Sequence, residues 1–105
     1  MARKIVAGNW KMNKTLNEGV ELVKELKNEL SKVSVNDVTV VVSPPYVNLS
    51  EIVKIAEGSS IQISAQNVHQ EESGAFTGEI SAQMLQSLGV GYVIIGHSER
   101  REYFG

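Results

Sequence analysis

The sequence predicts an α/β fold, with parallel strands and helices alternating in the order βαβαβαβ. Three observations carry this prediction. Short apolar runs recur along the chain, each bounded by Gly, Pro or Asn. Amphipathic stretches with helical spacing lie between them. One run, Val38-Thr39-Val40-Val41-Val42-Ser43, is almost continuously β-branched, as expected for a parallel strand covered on both faces.

Lys4-Ile5-Val6-Ala7-Gly8 reads as the first strand and ends at Gly-Asn. A helix is expected from Leu16 to Leu30, with Leu16, Val20, Val23, Leu26 or Lys27, and Leu30 on one stripe. Thr15 and Glu18 have the spacing of a capping box. Glu18, Glu21, Lys24, Glu25 and Lys27 read as a solvated face. Val38 to Ser43 is the second strand, stopped by Pro44-Pro45 because proline cannot donate to the ladder. A short helix follows from Leu49 to Ala56, with Gly58 as its stop. Ile61 to Ala65 is the third strand, followed by a polar loop from Gln66 to Glu79. The third helix runs from its N-cap Ser81 to Leu88 and ends at Gly89. Tyr92-Val93-Ile94-Ile95-Gly96 is the fourth strand, and His97-Ser98-Glu99-Arg100-Arg101 opens a further helical turn.

Two architectures fit this order: an open doubly wound sheet, or an arc of a (βα)8 barrel. A complete barrel needs about 250 residues, and this chain has 105. As a barrel it would be about half of one, a single domain over 1–105 truncated after the fourth strand. It would have no closing helix, and both edge strands would lack partners.

Composition narrows the function classes. Ten Lys+Arg against twelve Asp+Glu give a net charge of −2, which argues against nucleic acid or an anionic membrane as a partner. At 42% hydrophobic the chain can form a core, so disorder is not expected. The absence of cysteine excludes disulfides, thiolate metal sites and thiol catalysis. No apolar run approaches the ~20 residues of a membrane span. Ala2-Arg3-Lys4 followed by Ile5-Val6-Ala7-Gly8 is too short for a signal peptide. The sequons at Asn13 and Asn48 therefore read as chance, and a cytoplasmic location is expected.

Parallel α/β sheets place their sites at the C-terminal ends of strands. Asn9 and Lys11 follow the first strand; His97, Ser98 and Glu99 follow the fourth. An amide, an ammonium and an imidazole would then share one rim. Each has an ordinary reading too: a turn cap for Asn9, a surface lysine, a helix-start histidine satisfied by backbone. The functional reading gives Lys11 an anionic substrate or developing oxyanion. It gives His97 proton transfer or carbonyl polarisation, with a helix N-terminus favouring neutral imidazole.

Other motifs fail. Gly89-Val90-Gly91 lacks a third glycine and precedes a strand, and no phosphate-binding P-loop occurs. His69 and His97 lie in different loops without metal-ligand spacing, so no metal is expected. No G-x-S-x-G elbow appears. Trp10, Tyr46, Phe76, Tyr92, Tyr103 and Phe104 form no basic-aromatic surface for nucleic acid. The loop from Gln66 to Glu79 is long for its place, and its Gly74-Ala75-Phe76-Thr77-Gly78 run suggests either a partner surface or a self-packed loop.

Three of these segments resemble one family. Ala7-Gly8-Asn9-Trp10-Lys11-Met12-Asn13 resembles the opening motif of the triosephosphate isomerase family. Gly74-Ala75-Phe76-Thr77-Gly78-Glu79 resembles its third loop, and Ile95-Gly96-His97-Ser98-Glu99-Arg100-Arg101 its fourth. The resemblance runs from Arg3 to the last residue, with the motifs in order and at the right spacing. It implies the N-terminal arc of a (βα)8 TIM barrel. The implied enzyme interconverts dihydroxyacetone phosphate and glyceraldehyde 3-phosphate without a cofactor, in glycolysis and gluconeogenesis. By the resemblance, Asn9 and Lys11 bind substrate and stabilise enediolate charge, and His97 is the neutral electrophile. Ser98 and Glu99 stand behind them. Phe76, Thr77, Gly78 and Glu79 would form a homodimer loop, with Thr77 reaching toward the other subunit's site and Glu79 pairing with the partner's Arg100.

The family's base is a glutamate after the sixth strand, and no glutamate here matches its motif. The lid and the later phosphate loops are also unmatched. The chain is therefore expected to be an N-terminal fragment, inactive alone, that self-associates or pairs with a C-terminal half. The competing expectation is a non-catalytic half-barrel assembly module, with a weak phosphate-binding module a distant third.

Overall fold

A computed structural model describes residues 4–33 and 38–104. The Ala2-Arg3 pair at the basic N-terminus and Gly105, where the resemblance ends, lie outside the described residues. The elements are β1 (Lys4–Asn9), α1 (Leu16–Leu30), β2 (Val38–Ser43), a 3-10 turn (Tyr46–Asn48) leading into α2 (Leu49–Ala56), β3 (Ile61–Ala65), α3 (Ala82–Leu88), β4 (Tyr92–Val93) and α4 (Ser98–Phe104).

Every strand pair is parallel, and the order across the sheet is β1-β2-β3-β4. This order separates the two candidate architectures. A doubly wound sheet reverses at a switch point, so its strand order is not sequential. A barrel adds each strand beside the last. The four strands are therefore an arc of a barrel, curled into a half-barrel sheet.

The register aligns Gly8 with Val42 and Val42 with Ile63. Val42, Ile61, Ile63 and Ala65 join Val23 of α1, Leu49, Ile52 and Ala56 of α2, and Leu85 of α3 in one buried cluster. Trp10, Leu26 and Leu30 pack against it. Each buried Leu or Ile stabilises by about 1.5–3 kcal/mol relative to exposure, so this helix-facing layer holds the arc together. The β1 edge is bare by comparison: Ile5 and Val6 are each 59% exposed.

Helix α1 starts where the capping box predicts. Thr15 Oγ1 accepts the Glu18 backbone N–H at 3.4 Å, and Glu18 Oε1 accepts the Thr15 backbone N–H at 3.0 Å. The Thr15 hydroxyl also donates to Glu18 Oε1 at 2.9 Å, and the backbone N–H first, then this hydroxyl, hold the Glu18 carboxyl below the usual carboxylate range. Two details of this helix depart from the sequence reading. The head of the buried stripe is Gly19, while Leu16 is exposed. A Cβ on Gly19 would lie 3.1 Å from both Asn48 Nδ2 and Trp10 Cζ3, so a side chain there would have to push these neighbours back by a few tenths of an ångström. Lys27 also leaves the solvated face: its Nζ donates to Ile55 O at 3.0 Å and Glu57 O at 3.1 Å, satisfying carbonyls at the end of α2.

The fourth strand is shorter than expected. Only Tyr92 and Val93 pair with β3, although Ile94 N–H still donates to Ala65 O at 2.9 Å. Ile94 to Gly96 then leave the ladder, because Val93 already lies opposite Ala65, the last residue of β3. Gly96, at φ +59°, turns the chain into α4. That helix extends the expected opening turn to seven residues. The first strand runs one residue longer than predicted, through Asn9 paired with Ser43.

The Gln66–Glu79 loop folds partly on itself. The His69 and Phe76 rings are 4.4 Å apart, His69 N–H donates to Ile80 O at 2.7 Å, and Glu79 Oε2 lies 3.4 Å from His69 Nδ1. Phe76 nevertheless remains 43% exposed, so the loop keeps an outer apolar face.

Thr15→Ala should remove both capping bonds that depend on the hydroxyl and destabilise the chain by about 1 kcal/mol. Glu18 has a lowered folded-state pKa, so its contribution is present above its unfolded pKa and lost as pH falls through the folded one. Denaturant melts should therefore show a Thr15→Ala penalty that is largest near neutral pH and shrinks in acid.

Candidate active site

Parallel pairing turns the C-terminal ends of β1, β3 and β4 to one rim. Asn9 ends β1, Gln66 follows β3 directly, and His97 precedes α4. Lys11 stands beyond Asn9 in an unusual conformation. Its φ is +56°, in the left-handed region, which costs a non-glycine residue roughly 1–2 kcal/mol. Specific bonds hold it there. Lys11 N–H donates to Asn9 Oδ1 at 2.9 Å. Gln66 Nε2 donates to Lys11 O at 2.8 Å and to Ser43 O at 2.9 Å. Ser43 O also accepts the Trp10 N–H at 3.1 Å. Asn9 thus caps the turn after β1, as its ordinary reading held, and the same bond sets the backbone that carries Lys11.

The ammonium reaches across the rim. Lys11 Nζ lies 2.6 Å from Glu99 Oε1, joining residues from the two ends of the arc. This hydrogen bond first, then the Lys11 and His97 charges, hold the Glu99 carboxyl below the usual range against some desolvation. The side chains are 54% and 43% exposed, so water screens the pair and its stabilisation is small. Its consequence is geometric: it fixes where a flexible ammonium sits.

The backbone of Glu99 also sets the imidazole. Glu99 N–H donates to His97 Nδ1 at 3.1 Å, and Arg101 N–H donates to His97 O at 3.1 Å. His97 therefore caps α4 with ring and carbonyl together. Glu99 Oε2 is 3.7 Å from Nδ1, beyond hydrogen-bond distance. An imidazole whose Nδ1 accepts an N–H carries its proton on Nε2, so the network assigns the tautomer of the neutral ring.

Asn9, Lys11, Gln66, Asn67, His97 and Glu99 line a cavity of about 240 Å³, with Tyr46, Leu49, Ile80 and Leu85 as its apolar wall. The volume lies below the roughly 300–1,000 Å³ of drug-sized pockets, so it suits a small polar molecule. Ser98, at the start of α4, is exposed. Arg100 and Gly78 also line the cavity, and the Arg100 guanidinium is 5.2 Å from the Phe104 ring centroid. Within one chain, then, Glu79 faces His69 and Arg100 faces Phe104, while Thr77 is exposed. Gln66, Asn67 and Tyr46 were not among the sequence-predicted residues. Gln66 and Asn67 follow the third strand, and the strand-end rule that selected Lys11 reaches them as well. Among the described residues, no group of three or more His, Cys, Asp or Glu could hold a metal ion. Among the same residues, no helix is long and apolar enough to cross a membrane.

A sequential parallel arc with lysine, histidine and glutamate meeting on its C-terminal rim has the layout in which (βα)8 barrels place their sites. The sequence profile of the triosephosphate isomerase family matches residues 4–105, and the chain belongs to that family. Curated relatives named triosephosphate isomerase include those of Cytophaga hutchinsonii, 57% identical over 105 residues, and Acetivibrio thermocellus, 58% over 106. The relative from Clostridium botulinum strain Loch Maree is 59% identical over 104 residues. These matches cover 99–100% of this chain and 41% of each relative, so the chain spans well under half their length.

Lys11→Met should raise the Glu99 midpoint toward that of an ordinary glutamate, read by carbon-13 titration of its side-chain carboxyl. The sign follows from the lowered pKa: the ion pair is present above the unfolded midpoint and lost as pH falls through the folded one. An unchanged midpoint in Lys11→Met would mean that the pair does not form in solution.

Proposed function

We propose that this chain supplies the lysine–histidine half of a triosephosphate isomerase site. The reaction interconverts dihydroxyacetone phosphate and D-glyceraldehyde 3-phosphate by proton transfer through an enediolate. The observation that carries the reading is the 3.1 Å bond from Glu99 N–H to His97 Nδ1, which leaves the Nε2 proton on a ring that shares a cavity with Lys11. An enediolate develops negative charge on two adjacent oxygens. A fixed ammonium stabilises that charge, and an Nε2–H donor can follow it from one oxygen to the other. Triosephosphate isomerase is itself the standard example of a neutral catalytic imidazole.

In this reading Asn9 and Lys11 bind substrate, His97 is the electrophile, and Glu99 positions both the lysine and the ring. The conversion is redox-neutral overall and needs no redox cofactor. The carbon base, the lid and the phosphate loops come from the part of the family's barrel that these residues do not match. The exposed face of the Gln66–Glu79 loop suits a homodimer contact, with Thr77 toward the other subunit and Glu79 toward the partner's Arg100. A cytoplasmic role in glycolysis and gluconeogenesis follows from the same reading. The bare β1 edge, with Ile5 and Val6 exposed, supports a second reading, a half-barrel that assembles without catalysing.

Adding the remainder of the barrel in trans, for example from the Acetivibrio thermocellus relative, separates the two. The 105-residue chain alone should turn over triose phosphate no faster than its His97→Ala variant. The assembled pair should recover turnover, and His97→Ala should then lower it by about 10²–10⁴-fold. Tight assembly without turnover would favour the assembly module instead.

A further inference from the structure

The loop from Lys11 to Lys14 is bracketed by two left-handed non-glycine residues, at φ +56° and +77°. Each has its carbonyl held by a side-chain amide from another part of the fold. Gln66 holds Lys11 O on the rim. Asn48 holds Lys14 O at 3.0 Å from beneath. Asn48 is an odd residue for its place. It is fully buried beside Leu49 and Ile52, its Oδ1 has no partner, and it lies outside the cavity. It sits over Gly19, where a Cβ would come within 3.1 Å of its Nδ2. A leucine at this position would satisfy the core without an orphaned acceptor. The amide therefore has a purpose other than packing, and the only side-chain hydrogen bond it makes among the described residues is to the Lys11–Lys14 loop.

We propose that Asn48 is a positioning residue for Lys11: by holding Lys14 O it keeps the loop in the left-handed conformation that delivers the Lys11 ammonium to Glu99 and the cavity. The consequence for catalysis rests on the reading of Lys11 as the substrate-binding lysine, but the positioning itself does not. Without the buried donor, Lys14 relaxes toward ordinary negative φ, the loop rotates, and Lys11 Nζ leaves Glu99.

The test reads the loop through the Glu99 carboxyl and involves no turnover, so a failure of the isomerase reading would leave it intact. In the 105-residue chain, Asn48→Leu should raise the Glu99 midpoint toward the value in Lys11→Met, with cooperative unfolding retained. Adding Lys14→Gly should return the midpoint to that of the parent chain, because glycine adopts positive φ without a holder. A residue that merely fills the core would not be rescued this way. If Asn48→Leu fails to fold, Asn48→Ala is read by the same titration. If neither folds, recovery of both the fold and the low midpoint by Lys14→Gly supports the proposal, and no recovery overturns it. A Glu99 midpoint unchanged in folded Asn48→Leu, or raised and not rescued by Lys14→Gly, also overturns it.

Discussion

Parallel pairing of the four strands is the constraint on which everything else rests. It makes the C-terminal ends of β1, β3 and β4 emerge on one side, so residues far apart in sequence become neighbours. The distance from Lys11 to Glu99 is 88 positions along the chain and 2.6 Å across the rim. An antiparallel arrangement of the same strands would put these groups at opposite ends of the sheet. Sequential order adds the second half of the constraint, because it brings the loops after β1, β3 and β4 around one cavity whose apolar wall is drawn partly from α2 and α3.

The rim is held by buried or half-buried amides and backbone donors more than by charge. The Lys11–Glu99 pair is exposed, so its energy is small, yet it ends a chain of bonds that is well determined. Asn9, Gln66 and Asn48 fix the backbone of the lysine loop, and Glu99 N–H fixes the imidazole. Left-handed lysines cost conformational energy that only such surroundings sustain. Strain is concentrated in the loop whose side chain must sit at one point, while the ordinary core beneath keeps its residues in regular helices and strands.

Much of this architecture is legible in the sequence because its boundaries have local causes. Thr15, Ser81, Gly89 and Pro44-Pro45 start or stop elements through their own chemistry, and α1, α2, β2 and β3 fall where their signals place them. The strand order is not legible from propensity, since sequential and doubly wound sheets share the same βαβ alternation. Tyr92 to Gly96 has the composition of a full strand, but pairing needs a neighbour, and only two residues find one. Lys27 looks like any solvated lysine until α2 packs nearby and offers its last carbonyls. In the site, Asn9, Lys11, His97 and Glu99 follow from the strand-end rule and from the family's motifs. Gln66 and Asn48 act through side-chain to backbone bonds across the fold, which leave no periodicity and no motif to read.

The proposed chemistry depends on His97 carrying its proton on Nε2, because Nδ1 accepts the Glu99 backbone N–H. Nitrogen-15 spectra of the imidazole in the folded chain test this most directly. The neutral ring should show a protonated Nε2, an acceptor-type Nδ1, and a coupling from Nδ1 to the Glu99 amide. A neutral ring with its proton on Nδ1, and no such coupling, would contradict it.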